Sequence, residues 1–167
     1  MKVLGLRGWS GSGKTTLLVR LVPELVARGI KVSTVKHAHH HFDLDRPGKD
    51  SFRHREAGAT EVMISSSSRW ALMHEARSEG EVPLPALLAR MSPVDLVLVE
   101  GYKTEPHDKI EVWRAATGQK LLATEDAHVV AIATDRPDEL STPRGLPVLP
   151  LDDAAAVASF VMRHCGL

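Results

Sequence analysis

A glycine-rich segment near the N-terminus limits the folds open to this sequence more than any other part of it. Residues 8–15 read GWSGSGKT and match the pattern G-x-x-x-x-G-K-[ST] at every fixed position. The apolar run of residues 3–7 precedes this segment, and leucines at helical spacing follow it as far as Arg28. A strand, a glycine loop and a helix in this order are the context in which the pattern forms a phosphate-binding loop.

The loop residues predict a site for the phosphates of a nucleotide. Backbone N–H groups in the glycine turns and at the start of the helix can surround phosphate oxygens. Lys14 would reach the β- and γ-phosphates and act in catalysis, and the Thr15 hydroxyl would bind Mg²⁺. A turn that needs glycine only for steric reasons is the alternative. The residues predicted to bind the nucleotide here are Gly8, Ser10, Gly11, Ser12, Gly13, Lys14, Thr15 and Thr16.

The rest of the pattern predicts an α/β protein, with a mostly parallel sheet flanked by helices. Residues 31–36 follow the first helix almost at once, as a parallel neighbouring strand does. Residues 96–99 are apolar without alternation, which is typical of a central strand covered on both faces. Similar runs occupy residues 129–133 and 147–149. We therefore predict a P-loop NTPase fold that forms a single domain over residues 1–167.

A hairpin insertion and three further helices complete the predicted elements. Apolar runs at residues 62–64 and 70–73 flank four serines, which indicates a β-hairpin. Helices are predicted from about residue 50 to Gly58, over residues 83–91, and at the C-terminus after a cap at Asp152 or Asp153. Pro23 is expected to bend the first helix or to end its first half.

Glu100 follows the most strand-like run of the sequence and is a candidate metal ligand. In open α/β sheets, ligands bind beyond the carboxyl ends of the strands. Glu100 would act in catalysis through the metal or its bound water, and Gly101 would let the backbone or a phosphate approach closely. An exposed acidic residue without a role is the alternative.

Several segments together resemble the bacterial molybdopterin-guanine dinucleotide biosynthesis protein B (MobB) family. The resemblance implies GTP binding with weak hydrolysis, a cytoplasmic homodimer, and partnership with the molybdenum cofactor guanylyltransferase that joins GMP to molybdopterin. It leaves open whether molybdopterin contacts this chain directly. The segments that carry the resemblance are residues 8–16, 35–40, 42–45, 47–51, 53–59 and 98–103.

The polar segment from His37 to Arg55 holds further candidates. The histidines of residues 37–41 lack the spaced cysteines of a structural zinc site. Asp45, or less favourably Asp43, could orient a water, bind Mg²⁺ or act as a general base, or else lie in a solvated turn. Lys49, Arg53, His54 and Arg55 form a basic group that could hold a phosphate or simply form surface ion pairs.

Guanine selectivity rests on Asp135, which follows the predicted strand at residues 129–133. A carboxylate there could accept hydrogen bonds from the ring N–H and the exocyclic amine of guanine. The surrounding residues do not form the N-K-x-D arrangement of familiar GTPases, and Asp135 could instead cap a turn before Pro137. The residues alone leave adenine nucleotides open.

Charge and composition exclude several classes of protein. Lys plus Arg and Asp plus Glu number 21 each, so we expect no binding of nucleic acid through overall positive charge. Residues 1–55 carry 11 Lys or Arg and 4 Asp or Glu, which favours an anionic ligand in this part. A single cysteine and the lack of a long apolar run predict a cytoplasmic protein that does not enter a membrane.

These features favour a GTP-binding accessory protein with slow hydrolysis, with GTP and Mg²⁺ as its cofactors. A P-loop small-molecule kinase is the alternative, because an arginine-bearing segment such as residues 53–55 could close over a transferred phosphoryl group. A third hypothesis is a nucleotide-gated adaptor in which catalysis has no role.

Overall fold

The protein divides into two compact units. A computed structural model describes residues 1–38, 42–78 and 80–167. The first unit comprises Met1–His37 and Ser92–Leu167, and the second comprises Ala38–Met91. We retain one P-loop domain over residues 1–167 as a proposal, with the second unit as an insertion into it.

A parallel sheet forms the centre of the first unit and confirms the predicted fold class. Every pair of neighbouring strands is parallel, in the order β2-β5-β1-β6-β7-β8. The central position of β1 places the glycine loop that follows it at the middle of the carboxyl edge. The strands are β1 (Lys2–Arg7), β2 (Val32–Lys36), β3 (Glu61–Ser65), β4 (Trp70–His74), β5 (Leu96–Glu100), β6 (Lys109–Trp113), β7 (Val129–Thr134) and β8 (Val148–Pro150), of which β3 and β4 belong to the second unit.

In the described residues, four α-helices accompany the strands, namely α1 (Lys14–Ala27), α2 (Asp50–Glu56), α3 (Leu84–Leu88) and α4 (Ala154–Cys165). Of the two effects expected of Pro23, an end of the helix is wrong, because α1 continues through this residue. A bend at Pro23 stays a prediction. Leu17, Leu21 and Leu25 form a fully buried face of α1, and their burial outweighs the backbone hydrogen bond that proline cannot donate. Asp153 caps α4 by accepting a hydrogen bond from the Ala156 N–H. Of the two caps predicted for this helix, Asp152 and Asp153, the second is confirmed.

The core of the first unit lies between the sheet and its helices. All five residues of β5 are buried, as the absence of alternation predicted. Leucines of β1 and α1 and valines of α4 belong to the same apolar cluster, which also includes the only cysteine, Cys165. This packing fixes the sheet rigidly against α1, and so fixes the loop that joins β1 to α1.

Strand β6 is an element that the sequence analysis missed. It pairs with β1 on one side and with β7 on the other. Lys109 and Glu111 alternate along it with Ile110 and Val112, and all four are buried. The alternation is typical of a strand with one solvated face, whereas here the charged face is covered as well.

The second unit contains the predicted hairpin. Strands β3 and β4 are antiparallel, with Met63 opposite Leu72 and Ser65 opposite Trp70. The side chains of Met63 and Trp70 are each 63% exposed. Helix α3 ends at Leu88, three residues before the predicted end of this helix.

Candidate functional site

The glycine loop between β1 and α1 forms a cradle that side chains would fill. Gly8 has a φ of 153°, and a Cβ at this position would collide with the carbonyl oxygen of Val112 in β6. Gly11 and Gly13 also have positive φ values, of 78° and 98°. The loop therefore needs glycine at these positions to hold its curvature, and it leads directly into the first turn of α1.

Two polar side chains of the loop are arranged as a phosphate site requires. The Ser12 hydroxyl is buried and has no hydrogen-bond partner in the part of the chain that the structure describes. The ammonium of Lys14 donates to the carbonyl oxygens of Gly8 and Trp9, at 2.9 Å each, which holds it across the loop. The pKa of Lys14 is lowered from its usual value, chiefly by burial and further by the charges of Lys103 and Lys36. The Glu100 carboxylate opposes this shift. An anion between these cations would be stabilised by all of them.

Thr15 and Glu100 meet at the carboxyl edge of the sheet. The Thr15 hydroxyl donates a hydrogen bond of 2.9 Å to Glu100 Oε1. Glu100 is only 9% exposed, because β5 lies between β1 and β2. Residues 85 positions apart in the sequence thus present a hydroxyl and a carboxylate oxygen side by side. These are the oxygen ligands that Mg²⁺ takes from proteins.

The backbone after β5 is fixed beside this pair. The N–H of His37, which follows β2, donates to the carbonyl oxygen of Glu100 at 2.8 Å. The His37 ring stacks on Tyr102, with 4.7 Å between the ring centroids. A Cβ at Gly101 would lie 2.5 Å from the His37 Cβ, so glycine is required for the close approach.

On the opposite side of β1, the edge of the sheet carries Arg114 and Asp135. Arg114 follows β6 and donates a hydrogen bond of 2.9 Å from Nη1 to Asp135 Oδ2, just beyond β7. Trp9 in the glycine loop donates from its indole N–H to the carbonyl oxygen of Lys120. The sequence predicts Asp135 at this edge but gives no signal for Arg114, because without β6 nothing places this arginine at the ligand edge.

A buried ionic network supports the start of the glycine loop. Asp126 pairs with Arg7, the last residue of β1, and lies 3.5 Å from the ammonium of Lys109. Arg7 also donates to the Lys103 carbonyl oxygen at 2.8 Å. Burial would raise the pKa of Asp126, but the hydrogen bond from the His128 N–H and the two cations outweigh it and lower the pKa. The network joins the end of β1 to the segment after β5.

Asp45 lies in the second unit, and its side chain is 5% exposed. Its Oδ1 accepts a hydrogen bond of 2.8 Å from the Ser51 hydroxyl, and its Oδ2 lies 3.5 Å from Arg55 Nε. Arg55 also contacts Asp43 at 2.8 Å and Glu75 at 3.1 Å. Three carboxylates thus hold the Arg55 guanidinium, and the closing role of residues 53–55 in a kinase stays a prediction. The catalytic role of Asp45 stays a prediction.

Some candidates lie outside the part of the chain that the structure describes, namely the histidines at positions 39, 40 and 41. Among the described residues, no three His, Cys, Asp or Glu side chains group closely enough to hold a metal ion. Over the same residues, no helix has the length and apolar character needed to cross a membrane.

The described cradle fits a magnesium-bound nucleotide. Its glycines leave room for phosphate oxygens, the Ser12 hydroxyl and the helix N–H groups supply donors, and Lys14 supplies charge. Thr15 and Glu100 supply the oxygen pair for the metal. The arrangement is suited to holding the phosphates and stabilising charge on them.

Comparison with known proteins gives a family for this chain. The family described as molybdopterin guanine dinucleotide synthesis protein B matches residues 3–135. A molybdopterin-guanine dinucleotide biosynthesis adapter protein of Escherichia coli is 44% identical over 166 residues, which cover 96% of this chain and 91% of that protein. A protein of the same description from Haemophilus influenzae is 46% identical over 138 residues, covering 83% of this chain and 77% of that one.

Solved structures show the same fold. The crystal structure of a MobB protein homolog from Bacillus stearothermophilus superposes with a TM-score of 0.72 at 27% identity, and the match covers 99% of each chain. A crystal structure described as molybdopterin-guanine biosynthesis protein B gives a TM-score of 0.77 at 26% identity, again over 99% of each chain. The chain thus belongs to the MobB family of adapter proteins in molybdopterin-guanine dinucleotide biosynthesis.

Proposed function

We propose that this adapter binds GTP with Mg²⁺, hydrolyses it slowly, and works with the molybdenum cofactor guanylyltransferase. The observation that carries the proposal is the 2.9 Å hydrogen bond between the Thr15 hydroxyl and the Glu100 carboxylate. It brings the first turn of α1 and the end of β5 together beside Lys14, at the edge where α/β sheets bind ligands.

Each residue of the cradle has a part in this function. The backbone N–H groups of the loop hold the phosphates, and Lys14 neutralises charge on the β- and γ-phosphates. Thr15 and Glu100 would hold Mg²⁺, which would supply positive charge between those phosphates. Catalysis then comes mostly from positioning and charge, which is consistent with a slow rate. Asp45 is the proposed general base, and Asp135 is proposed to act at the guanosine end.

The partner proposal extends to a second copy of the chain. Met63, Trp70 and Leu72 project from the same face of the β3–β4 hairpin. Met63 is paired with Leu72, and Trp70 lies two residues before Leu72 in β4. Their exposure of 43–63% is high for such large apolar side chains. This surface supports a homodimer, whose mass sedimentation analysis would measure.

Calorimetric titration with GTP and Mg²⁺ tests the nucleotide site. Lys14→Ala should weaken binding by at least about 100-fold, since two or more charge-assisted hydrogen bonds are lost. The exposed Lys31→Ala is the matched control and should bind as the unsubstituted protein does. Equal affinities of the Lys14→Ala and unsubstituted proteins would refute the site.

Glu100→Gln separates the three functional hypotheses. The amide keeps an acceptor for Thr15 but removes the charge, so hydrolysis should stop while complex formation with the guanylyltransferase persists. If cofactor output falls with hydrolysis, GTPase activity serves the adapter. If output is unchanged, the nucleotide-gated adaptor without catalysis is correct. Stoichiometric appearance of a phosphorylated small molecule would instead establish the kinase.

A further inference from the structure

We propose that Arg114 is a second cationic ligand of the nucleotide phosphates, and that Asp135 acts as its positioning residue. The inference rests on the proposed nucleotide binding and extends it to a side chain outside the glycine motif. It also gives Asp135 a role that does not require contact with the base.

The orientation of the guanidinium carries the proposal. A Cβ built on Gly13 would lie 3.5 Å from Arg114 Nε and 3.8 Å from Nη2. Nε and Nη2 form the edge of the guanidinium that donates two parallel hydrogen bonds to a phosphate or carboxylate. Among the residues that the structure describes, neither atom donates a hydrogen bond, and Nη2 comes only within 4.0 Å of Asp152 Oδ1. The two-donor edge therefore lies beside Gly13, the loop residue that precedes Lys14.

Asp135 holds the remaining nitrogen of the same group. Nη1 donates to Asp135 Oδ2 at 2.9 Å, so the carboxylate fixes the plane of the guanidinium without using its two-donor edge. The backbone is fixed as well, because the Thr117 N–H and hydroxyl both donate to the Arg114 carbonyl oxygen. Side chains of both residues are about one-third exposed or less, at 31% and 26%, so a ligand can reach them.

The position along the sheet edge indicates which phosphates are contacted. Glu100, the proposed metal ligand, ends β5 on one side of β1, whereas Arg114 follows β6 on the other side. Thr15 and Glu100 would hold Mg²⁺ on their side of the cradle, where it would supply positive charge to the phosphates that are cleaved from each other. A cation on the opposite side of the cradle is therefore placed for the phosphates nearer the nucleoside. These are present in GDP as well as in GTP.

Affinities for GDP, GTP and the xanthine nucleotide XDP test the proposal by calorimetry. Arg114→Ala should weaken GDP and GTP by a similar factor, of about tenfold or more for the loss of charge-assisted hydrogen bonds at a partly exposed site. Arg114→Lys keeps the charge but not the two-donor edge, so it should recover only part of the affinity. Arg136→Ala removes an exposed neighbouring arginine, which pairs with Glu139, and should change neither affinity.

Asp135→Asn distinguishes positioning from base reading. If Asp135 acts through Arg114, the substitution changes GDP and XDP affinity by the same factor, and the change disappears in the Arg114→Ala background. A base-reading carboxylate would instead lose guanine and gain xanthine, because an amide can donate to the second xanthine carbonyl. That switch in preference would overturn the proposal.

The Lys14→Ala variant keeps this test separate from the test of nucleotide binding. If Lys14→Ala abolishes binding but Arg114→Ala behaves as Arg136→Ala does, only the role of Arg114 is refuted. If the unsubstituted protein binds none of the nucleotides, the nucleotide function and the role of Arg114 both fail. Thermal unfolding of every variant confirms that the compared proteins are folded.

Discussion

Replacing Asp126 by Asn should destabilise the first unit strongly, because it leaves two buried cations without their counter-ion. Lys109 is 1% exposed, and the side chains of Asp126 and Arg7 are 10% and 17% exposed. At 3.5 Å and an effective dielectric constant of about 20, the Lys109–Asp126 attraction alone amounts to about 5 kcal/mol. The asparagine keeps the shape and one acceptor, so we expect a net loss of about 3 kcal/mol.

Urea unfolding followed by tryptophan fluorescence measures this loss. Trp70 lies in the second unit, so a Trp70→Phe background leaves Trp9 and Trp113, which report on the first unit. A loss of about 3 kcal/mol should lower the midpoint by roughly 1.5 M urea at a typical slope of about 2 kcal/mol per M, with the slope unchanged.

Two further variants show whether the charges are responsible. Asp138→Asn changes an exposed carboxylate and should alter the unfolding free energy by less than about 0.5 kcal/mol. Lys109→Met combined with Asp126→Asn removes one of the two cations that lack a counter-ion, and should recover part of the lost unfolding free energy. Asp126 does not stabilise the first unit through these charges if Asp126→Asn costs less than about 1 kcal/mol, or if the double variant is no more stable than Asp126→Asn alone.

Two further predictions concern His107 and Gly8. Burial, aided by the charge of Lys109, lowers the pKa of His107 from its usual value of 6.5. Just below pH 6.5 the imidazole is therefore protonated in the unfolded chain but neutral in the folded one. The unfolding free energy should therefore fall by up to about 1 kcal/mol between pH 7.5 and 5.5, and His107→Leu should flatten this dependence; an unchanged slope would exclude His107 as its cause. Gly8→Ala should abolish tight GTP binding and cost about 1–3 kcal/mol, since the new Cβ meets the Val112 carbonyl oxygen and the Ser12 hydroxyl. Gly29→Ala, also at positive φ but with open space around it, should leave GTP affinity unaltered in the same titration.

The sequence predicts the parts of this fold that depend on local pattern. The glycine motif places its own strand and helix, and the apolar run of β5 predicts both a central strand and Glu100 at its end. The hairpin follows from two apolar runs and a serine turn. Each of these signals lies within a short segment, so no distant partner is needed to interpret it.

The missed features depend on partners far apart in the sequence. The alternation of Lys109 and Glu111 with apolar residues indicates a solvated face. In the structure, Lys109 instead pairs with Asp126, which also pairs with Arg7. The Glu111 carboxylate accepts hydrogen bonds from the N–H groups of residues 122 and 123. Arg114 had no place at the sheet edge without β6. Arg55 shows the same limit, because helical spacing cannot reveal that its partners include Glu75, twenty residues away. Burial of charge is decided by tertiary pairing, which single-segment patterns do not contain.

The parallel pairing of β2 with β5 has a consequence for anyone who wishes to shorten this protein. The chain leaves β2 at the carboxyl edge of the sheet and must enter β5 at the amino edge, about 16 Å away along five-residue strands. Joining His37 directly to Ser92 would leave only residues 37 and 92–95 to make this crossing, whereas a parallel crossover needs about a dozen residues or more. A minimal version of the protein would need a replacement crossover, such as a helix of about eleven residues with its own connecting turns.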